Sequence, residues 1–421
     1  MADLKTIILD GQERIDNMSV IRRDTVFDFT VITKLGKIVT ITGPRRAGKT
    51  SFMFQIMKSL GLRKEEIVVL DFSDILLSDF TANDFTKLLD AYYSIYPDLT
   101  PWFFLDEIQE VDNFEGGLKT LLNHGCKITI TGSSAKLFSS DIASTLRGKA
   151  LTVKIMPLDF NEYLRFRDVH VKSPLSSRGK GRYATEFNRF LSFGGFPEVV
   201  LTESPETRRA LLKSYMEIML LRDVIERNDL HSGHLAEKLL LKILNSFTKE
   251  ISINKWFNDL KSEGISASKD TLFKLLKHFE DTQFIHLLQN IAGGATSQKK
   301  VYIADNGLFT PFRSLSPDSG RLFENLVFLD LRRTDSPLHF LKQQNSECDF
   351  IVGEMAVQCC YRLTSENWDR EVAGLNVALN YPGIRRGLLV YSELDLPEKL
   401  IASLPKNCEM KNYFEFVCNI N

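Results

Sequence analysis

One segment of the chain has the residue types and the spacing of a phosphate-binding loop. It matches G-x-x-x-x-G-K-[ST] at every position and consists of Gly43-Pro44-Arg45-Arg46-Ala47-Gly48-Lys49-Thr50, followed by Ser51. Glycines in such a loop let backbone amides close around phosphates, and the helix that follows adds its positive dipole end. We expect the whole segment to bind a nucleotide, with Lys49 reaching the β- and γ-phosphates and Thr50 ligating Mg²⁺.

Two acids end a second apolar run, Trp102-Phe103-Phe104-Leu105-Asp106-Glu107. Buried carboxylates are costly unless a metal or a water molecule uses them. We expect Asp106 to support Mg²⁺ and Glu107 to polarise an attacking water. A turn-initiating Asp-Glu pair is the alternative, but a protein that only binds a nucleotide does not need the second acid. The pair therefore favours hydrolysis.

Polar residues at two further places are candidates for contacts with the γ-phosphate. The run from Lys127 to Thr131 is followed by Gly132-Ser133-Ser134, and a hydroxyl from Ser133 or Ser134 can lie between the acids and the phosphate. Arg147 precedes the last apolar run of this region. In a ring-forming ATPase, an arginine there reaches the neighbouring subunit's phosphate and neutralises transition-state charge. An ordinary Gly-Ser turn and a solvated surface arginine are the alternatives.

These residues need a sheet that brings the ends of several strands together. Apolar residues at helical spacing follow the loop from Ser51 to Leu60, so strand, loop and helix occur in the required order. The apolar runs that predict about five strands are 37–42, 66–72, 102–107, 127–134 and 150–155. Their alternation with helical stretches predicts an α/β fold, a parallel sheet with its ligands at the C-terminal edge.

The order of these motifs resembles that of a large family of prokaryotic AAA+-type ATPases allied to the STAND clade. The matching segments are 42–50, 105–109, 131–134, 146–148 and 157–163. The resemblance covers nearly the whole chain and implies the additional-strand, catalytic-glutamate type of P-loop NTPase sheet, with ATP and Mg²⁺ as cofactors. Members of the family carry a C-terminal domain of unknown function with a restriction-endonuclease-like core.

A helical lid is expected after the sheet. Gly194-Gly195-Phe196-Pro197-Glu198 resembles the glycine-x-proline signature of the lid in the same clade, which implies that Pro197 packs near the adenine. A loop between two lid helices that does not touch the nucleotide is the alternative. The arginine-rich helical stretch from Glu206 to about Asn228 contains Arg222, one of several candidates for sensing the γ-phosphate from the lid.

Three helices and a β-hairpin between about Leu235 and Asp305 predict a winged helix-turn-helix, and this region also resembles the family. Ser252 and Ser268 are N-cap signals for the second and third helices. Residues 238–280 contain eight lysines and five acids, a net charge of +3. Because this charge is modest for phosphate contacts, DNA and a protein partner are both candidate ligands of the region.

The C-terminal segment has the outline of a nuclease with an altered centre. A restriction-endonuclease-like site needs an acid on a helix, an Asp, and Glu-x-Lys on a strand, so that the acids hold Mg²⁺ and the lysine activates water. Glu324 lies in a helical run and Asp349 at the start of a predicted strand, but Gln358-Cys359-Cys360 stands where Glu-x-Lys is needed. We expect no strong metal-dependent cleavage, and a fold that survives as a binding or assembly surface.

Composition limits the remaining classes of protein. The chain has 421 residues, 43% hydrophobic and 25% charged, which excludes a disordered or fibrous protein. A net charge of −1 provides no global attraction to nucleic acid or membrane, and no apolar run approaches the roughly 18 residues of a membrane span. Six cysteines without a CxxC pair predict neither zinc sites nor a disulfide framework, so the cytoplasm is the expected location.

We therefore predict four parts: a P-loop AAA+-type ATPase core at 1–165, a helical lid at 166–232, a winged helix-turn-helix at 233–312, and a catalytically inactive restriction-endonuclease-like α/β domain at 313–421. ATP hydrolysis would remodel DNA or a protein partner, and Arg147 makes a homo-oligomer a candidate assembly. A nucleotide-gated signalling or scaffold module with slow hydrolysis is the main alternative. An ATP-dependent nuclease is a further one, limited by the missing lysine.

Overall fold

The computed structural model describes residues 3–16, 18–25, 27–133, 148–170, 177–225, 233–294, 297–312, 318–334, 336–343 and 346–420. The chain divides into two compact units, Met1–Pro157 with Asp281–Gln283, and Leu158–Glu280 with Phe284–Asn421. The predicted phosphate-binding loop and both acids that follow it lie in the first unit.

Five strands form the sheet of the first unit: β1 (Ile38–Thr42), β2 (Ile67–Asp71), β3 (Trp102–Asp106), β4 (Lys127–Gly132) and β5 (Ala150–Lys154). Every neighbouring pair is parallel, and the spatial order is β2-β3-β4-β1-β5. The predicted parallel α/β sheet is thereby confirmed. Because β3, β4 and β1 are adjacent and parallel, their carboxyl ends meet at one edge.

Helices cover both faces of this sheet, because successive strand residues alternate between two apolar cores. Val68 and Phe103 belong to one core, to which the first, fourth and fifth helices contribute, whereas Val69 and Phe104 belong to the other. The helices of this unit are α1 (Leu4–Asp16), α2 (Phe29–Lys34), α3 (Lys49–Leu60), α4 (Asp84–Ile95) and α5 (Phe114–Asn123), with 3₁₀ turns at Lys64–Glu66, Ile75–Leu77 and Ile108–Glu110.

The second unit begins with a helical segment. Asp159 caps its first helix in a capping box, in which the Asp159 carboxylate accepts a hydrogen bond from the Glu162 amide and the Glu162 carboxylate accepts one from the Asp159 amide. The helices are α6 (Phe160–Phe166), α7 (Ser177–Phe193), α8 (Pro197–Leu201) and α9 (Pro205–Ile218), followed by π-helical turns at Met219–Ile225.

Three helices and a small antiparallel sheet follow, all in the second unit except for Asp281, the last residue of the third helix. They are α10 (Gly233–Ser246), β6 (Glu250–Ile251), α11 (Ile253–Ser262), α12 (Lys269–Asp281), β7 (Ile285–Gln289) and β8 (Lys299–Ile303), with the strands in the order β6-β8-β7. Both predicted N-caps are confirmed: the Ser252 hydroxyl accepts a hydrogen bond from the Lys255 amide, and the Ser268 hydroxyl accepts one from the Thr271 amide.

A second five-stranded sheet completes the unit, after a 3₁₀ segment at Asn306–Phe312. The elements are α13 (Ser319–Arg332), β9 (Leu338–Gln343), β10 (Ser346–Val352), β11 (Met355–Thr364), α14 (Trp368–Leu379), β12 (Arg386–Asp395), α15 (Glu398–Ile401), β13 (Cys408–Asn412) and α16 (Tyr413–Ile420). The strand order is β13-β12-β11-β10-β9. The pairs from β9 to β11 are antiparallel and those from β11 to β13 are parallel.

The prediction that Asp349 starts a strand is wrong, because β10 already begins at Ser346. The division into four domains stays a prediction. Within the described ranges, no helix combines the length and the apolar character needed to cross a membrane.

Candidate nucleotide-binding site

The predicted phosphate-binding loop leaves β1 after Thr42 and enters α3 at Lys49. A Cβ atom added at Gly43 would lie 1.9 Å from the Ile155 carbonyl oxygen, so no side chain fits there. Gly48 is the N-cap of α3 and has a φ of 95°, in the left-handed region that favours glycine. The first glycine of the motif, Gly43, is therefore required because the Ile155 carbonyl oxygen leaves no room for a side chain. The second, Gly48, is required because of its left-handed backbone conformation.

Arg23 ties this loop to the segment that follows β5. Its guanidinium donates hydrogen bonds to the carbonyl oxygens of Ala47, at 2.9 Å, and Met156, at 2.8 Å, and the residue is 4% exposed. This role of Arg23 could not be predicted, because nothing in Arg22-Arg23-Asp24 distinguishes it from a surface charge.

Lys49 and Thr50, the first two residues of α3, reach the two predicted acids. The buried Lys49 ammonium donates a hydrogen bond to the Pro44 carbonyl oxygen, at 3.3 Å, and lies 3.7 Å from Glu107 Oε1. The Thr50 hydroxyl donates to Asp106 Oδ2 at 2.6 Å. Elsewhere in the loop, Pro44 and Ala47 are buried, Arg45 is half-buried, and Arg46 and Ser51 are exposed.

Asp106 is the last residue of β3 and is almost completely buried. Burial raises the pKa of its carboxyl group, while hydrogen bonds from the hydroxyls of Thr131 and Thr50 act in the opposite direction. Two hydrogen-bond donors thus orient the carboxylate, and a nearby cation would further stabilise its charged form.

Glu107 leaves the strand in the left-handed conformation, with a φ of 50°. Its backbone amide donates to the Thr131 hydroxyl at 3.1 Å, so Thr131 contacts both acids. The Glu107 carboxylate accepts a hydrogen bond from the Gln109 side-chain amide and another from the Ser133 hydroxyl, at 3.3 Å. The motifs single out Ser133 and include Thr131 and Gln109 without assigning either of them a role. The one signal in the sequence is that Thr131 ends an apolar run, two residues before Ser133.

Several other predicted residues lie away from this group of side chains or are not described. Ser134 and Arg147 fall outside the described residues. Pro197 is the first residue of α8, and Arg222 is an exposed residue of the π-helical turns; both belong to the second unit. The adenine contact of Pro197 and the sensing role of Arg222 stay predictions.

The oxygens of Thr50 and Asp106 fit Mg²⁺. A hydroxyl and a carboxylate are ligands that this ion prefers, and a protein usually supplies only one or two of them while phosphate and water supply the rest. Within the described residues, no group of three or more His, Cys, Asp or Glu side chains is arranged to hold a metal. A cation at Asp106 would also offset the raised pKa of its carboxyl group.

The site coincides with a match to a known domain family. A family model described as an AAA domain matches residues 35–164, which include the loop, both acids, Thr131 and Ser133. A second model, described as a domain of unknown function (DUF8612), matches residues 184–319. The fold and the matched domain define the class: this chain contains an ATP-binding P-loop ATPase domain of the AAA type.

Relatives define the family more closely. The chain is 35% identical over 383 residues to MJ1544, an uncharacterized protein of Methanocaldococcus jannaschii. The match covers 88% of this chain and 86% of that protein. It is 27% identical over 327 residues to an uncharacterized protein of Haemophilus influenzae, covering 75% of this chain and 79% of the relative. The chain belongs to the same protein family as MJ1544.

Two solved structures are similar at a lower level. The Walker-type ATPase PABY2304 of Pyrococcus abyssi has a TM-score of 0.44 and 16% identity, over 71% of this chain and 99% of that chain. The Aeropyrum pernix ORC1 protein in complex with DNA has a TM-score of 0.32 and 13% identity, over 73% of this chain and 94% of that chain. These TM-scores are too low to add to the assignment.

A second group of acids lies in the second unit, where the sequence predicts the altered nuclease centre. Glu324 of α13 and Asp349 of β10 come together, but around Lys300 of β8, whose ammonium lies 3.0 Å from Glu324 Oε1 and 3.6 Å from Asp349 Oδ1. Gln358 is bound within the fold: it accepts a hydrogen bond from the Asp349 amide at 3.2 Å and donates one to Glu371 at 2.7 Å. The place of Lys300 among these acids could not be predicted, because the residue lies outside the segment that resembles a nuclease.

Proposed function

We propose that this AAA-domain protein is a Mg²⁺-dependent ATPase that converts ATP and water into ADP and phosphate. The position of Glu107 carries the proposal. Its carboxylate lies 3.7 Å from the Lys49 ammonium and is held by Gln109 and Ser133. A second acid next to a phosphate-binding lysine has no use in binding a nucleotide, and it suits polarisation of an attacking water.

Each side chain has a separate role in this proposal. Lys49 exchanges its contacts with Pro44 and Glu107 for the β- and γ-phosphate oxygens, and the loop amides surround the phosphates. Thr50 and Asp106 would hold Mg²⁺, and the ion would supply positive charge to the phosphate oxygens. Glu107, released from Lys49, accepts a hydrogen bond from water. The water oxygen then bonds to the γ-phosphorus while one water proton passes to the Glu107 carboxylate, and the in-line bond to ADP breaks, so that phosphate and ADP are released.

Steady-state ATP turnover of three proteins tests the proposal. We expect wild-type turnover to require Mg²⁺ and to stop when EDTA removes it. Lys49→Ala is expected to lose ATP binding and turnover, whereas Lys58→Ala, an exposed position near the other end of α3, serves as the control and keeps both. Turnover that survives EDTA, or that survives Lys49→Ala, would contradict the proposed site.

For the output of hydrolysis we propose remodelling of DNA or of a protein partner through a winged helix formed by α10, β6, α11, α12, β7 and β8. The order of these elements and the strand order β6-β8-β7 support that assignment. The third helix of the group, α12, exposes Lys269, Lys274 and Lys277 together with Phe273. Cations beside an exposed aromatic ring suit contact with a nucleic acid or with an acidic protein surface.

A nucleotide-gated module with slow hydrolysis is a second candidate function. The contact between Lys49 and Glu107 favours it, because the lysine must leave the catalytic acid before ATP can be split. The assembly state with and without ATP, measured alongside turnover, separates the two functions. An assembly that depends on ATP while turnover stays slow favours the gated module.

We propose a restriction-endonuclease-like, catalytically inactive core for the C-terminal segment. The order α13, β9, β10, β11, α14 and β12, with an acid on the helix and another on β10, supports the fold. Gln358 in place of a metal-binding acid supports the loss of activity, since an amide is a weak ligand for Mg²⁺. Robust DNA cleavage with Mg²⁺ or Mn²⁺ that Asp349→Ala abolishes would contradict this proposal.

A further inference from the structure

We propose that Lys300 is a built-in cation, and that its ammonium occupies the place in the C-terminal acid cluster where a divalent metal would otherwise bind. The acid cluster consists of Glu324, Glu347 and Asp349. This inference concerns the second unit alone and does not depend on ATP hydrolysis.

The geometry around the ammonium resembles the surroundings of an ion. The Lys300 ammonium lies 3.0 Å from Glu324 Oε1, 2.5 Å from Glu347 Oε1 and 3.6 Å from Asp349 Oδ1. Its side chain is 3% exposed, so these carboxylates replace the water that a surface lysine would keep. Oxygen atoms from a helix and a strand thus converge on the ammonium, and with Lys300 between them the described acids are not arranged to hold a metal. Carboxylate oxygens are nevertheless the ligands that Mg²⁺ and Mn²⁺ prefer.

Lys300 is held in this place by the strand that carries it. The side-chain amide of Asn325 bonds both the amide and the carbonyl of Ile303, which fixes the end of β8 to α13. Tyr302, on the same face of the strand as Lys300, stacks on Phe328 at 4.0 Å and donates a hydrogen bond to Glu324 at 2.8 Å. The ammonium is therefore part of the folded core.

Other nearby cations are engaged elsewhere. Arg321 donates hydrogen bonds to the Phe247 and Asn245 carbonyl oxygens, and Arg370 pairs with Glu371. Asp349 receives its remaining hydrogen bonds from the amide and the thiol of Cys359, at 3.0 and 3.4 Å. In the described residues, Lys300 is the cation that contacts all three members of the acid cluster.

The pKa values of Lys300, Glu324 and Asp349 are shifted by their burial and by one another's charges. Burial alone lowers the pKa of Lys300, but the neighbouring charges, Glu324 first, outweigh it, so the pKa lies well above its ordinary value. Burial raises the pKa of Glu324 to about 7 and that of Asp349 to about 6, even with Lys300 in place. Removal of the ammonium would leave the three acids without their shared cation, and a divalent metal that binds there would displace the protons that Glu324 and Asp349 take up.

Space and access allow such an exchange. A cavity of about 570 Å³ adjoins the cluster, and Glu324, Glu347, Asp349 and Gln358 line it. Glu347 keeps 31% of its side chain exposed, so an ion from solvent has a path to the carboxylates. The wild-type cluster therefore rejects divalent metal because its place is filled.

Binding of Mn²⁺ to the nucleotide-free 421-residue protein tests the proposal, with calorimetry or electron paramagnetic resonance as the readout. The test variant is Lys300→Met, which removes the charge and keeps most of the volume. The matched control is Lys299→Met on the opposite face of β8. We expect Lys300→Met to gain one Mn²⁺ site at the acid cluster, with an affinity there at least about tenfold above that of wild type. The further change Asp349→Asn is expected to abolish that gain. Lys299→Met is expected to behave as wild type.

Two results would overturn the proposal: Mn²⁺ binding by wild type that Asp349→Asn removes, or a folded Lys300→Met protein with no gain in Mn²⁺ binding. If Lys300→Met does not fold without metal, refolding in Mn²⁺ decides the matter. Recovery of the native circular dichroism spectrum supports the exchange of ammonium for metal, and failure to recover it contradicts the exchange.

Discussion

At the scale of single residues, the nucleotide site depends on a hydroxyl to which the motifs assign no role. Thr131 donates a hydrogen bond to Asp106 and accepts one from the Glu107 amide, so it fixes the two acids relative to each other. In the proposed reaction one acid serves the metal and the other the water. Their separation must then be maintained while ATP enters and ADP leaves.

Thr131→Val tests this role, because it keeps the shape of the side chain and removes the hydroxyl. We expect turnover to fall by at least about tenfold with a small change in ATP affinity, since a hydrogen bond to a charged group contributes roughly 1.5–3 kcal/mol. Thr129→Val is the matched control on the same strand. Its hydroxyl is buried and has no hydrogen-bond partner in the described structure, so turnover should be unchanged. Equal turnover in the two variants would exclude a specific role for Thr131.

At the scale of elements, the turn after β8 explains the paired glycines that precede α8. The buried Asp305 carboxylate accepts hydrogen bonds from the Gly195 amide, at 2.7 Å, and from the Gly307 amide, at 2.8 Å. A Cβ atom at Gly194 would lie 1.6 Å from Asp305 Oδ1. Gly194 and Gly195, which belong to the segment that resembles a lid signature, therefore have a packing role in the second unit.

We expect Gly194→Ala to lower the free energy of unfolding by more than the roughly 1 kcal/mol that a left-handed conformation alone costs alanine. The added methyl group would displace Asp305 and strip the neighbouring amides of their acceptor. Gly264→Ala is the control, since its φ of 76° is similar but no atom lies within 4 Å of the added Cβ. Chemical denaturation that gives the same loss for both variants would rule out the contact with Asp305 as a source of stability.

A contact between α13 and α16 predicts a dependence of stability on pH. Asp330 accepts a hydrogen bond from the Tyr413 hydroxyl at 2.8 Å, and burial raises its pKa from 3.8 to about 7. The folded state binds this proton more tightly than the unfolded state does. The resulting stability is fully present below about pH 4 and is lost as the pH rises through about 7.

Asp330→Asn removes that titration and retains an oxygen for Tyr413. We expect the melting temperature of this variant, relative to wild type, to rise between about pH 5 and pH 8. Glu366→Gln, at an exposed position, should show no such trend. A difference between Asp330→Asn and wild type that is constant with pH would show that Asp330 does not ionise in this range.

The elements of the first unit could be predicted from sequence to a large extent, because its parallel strands are buried on both faces and stand out as apolar runs. Lys49, Thr50, Asp106 and Glu107 could be named because a loop or a strand end places them. Arg23 and Lys300 could not be named, since each acts on residues that only the tertiary fold brings near. Thr131 depends on strand order, which the sequence does not specify.

At the scale of the whole molecule, charge is concentrated locally within a nearly neutral chain. The net charge is −1, yet residues 238–280 carry eight lysines and five acids. Any contact with DNA must therefore be local. The exposed lysines of α12 are the surface on which we propose it occurs.

Lys274→Glu with Lys277→Glu tests that surface against a control with the same change in charge, Lys399→Glu with Lys406→Glu, at exposed positions near the C-terminus. We expect the α12 variant to weaken DNA binding irrespective of sequence, and to reduce the slope of log affinity against log salt by about two. The control should bind as wild type does. Equal binding by both variants would exclude α12 as a DNA surface and favour a protein partner.

The most direct test of the central claim is ATP hydrolysis by Glu107→Gln, measured together with ATP binding on the same preparation. We expect the variant to bind ATP as wild type does and to lose turnover by about a hundredfold or more, because glutamine keeps the shape of the side chain but cannot accept a proton from water. Glu65→Gln, an exposed acid at the opposite end of the sheet, should retain full turnover. Wild-type turnover in Glu107→Gln would contradict the account.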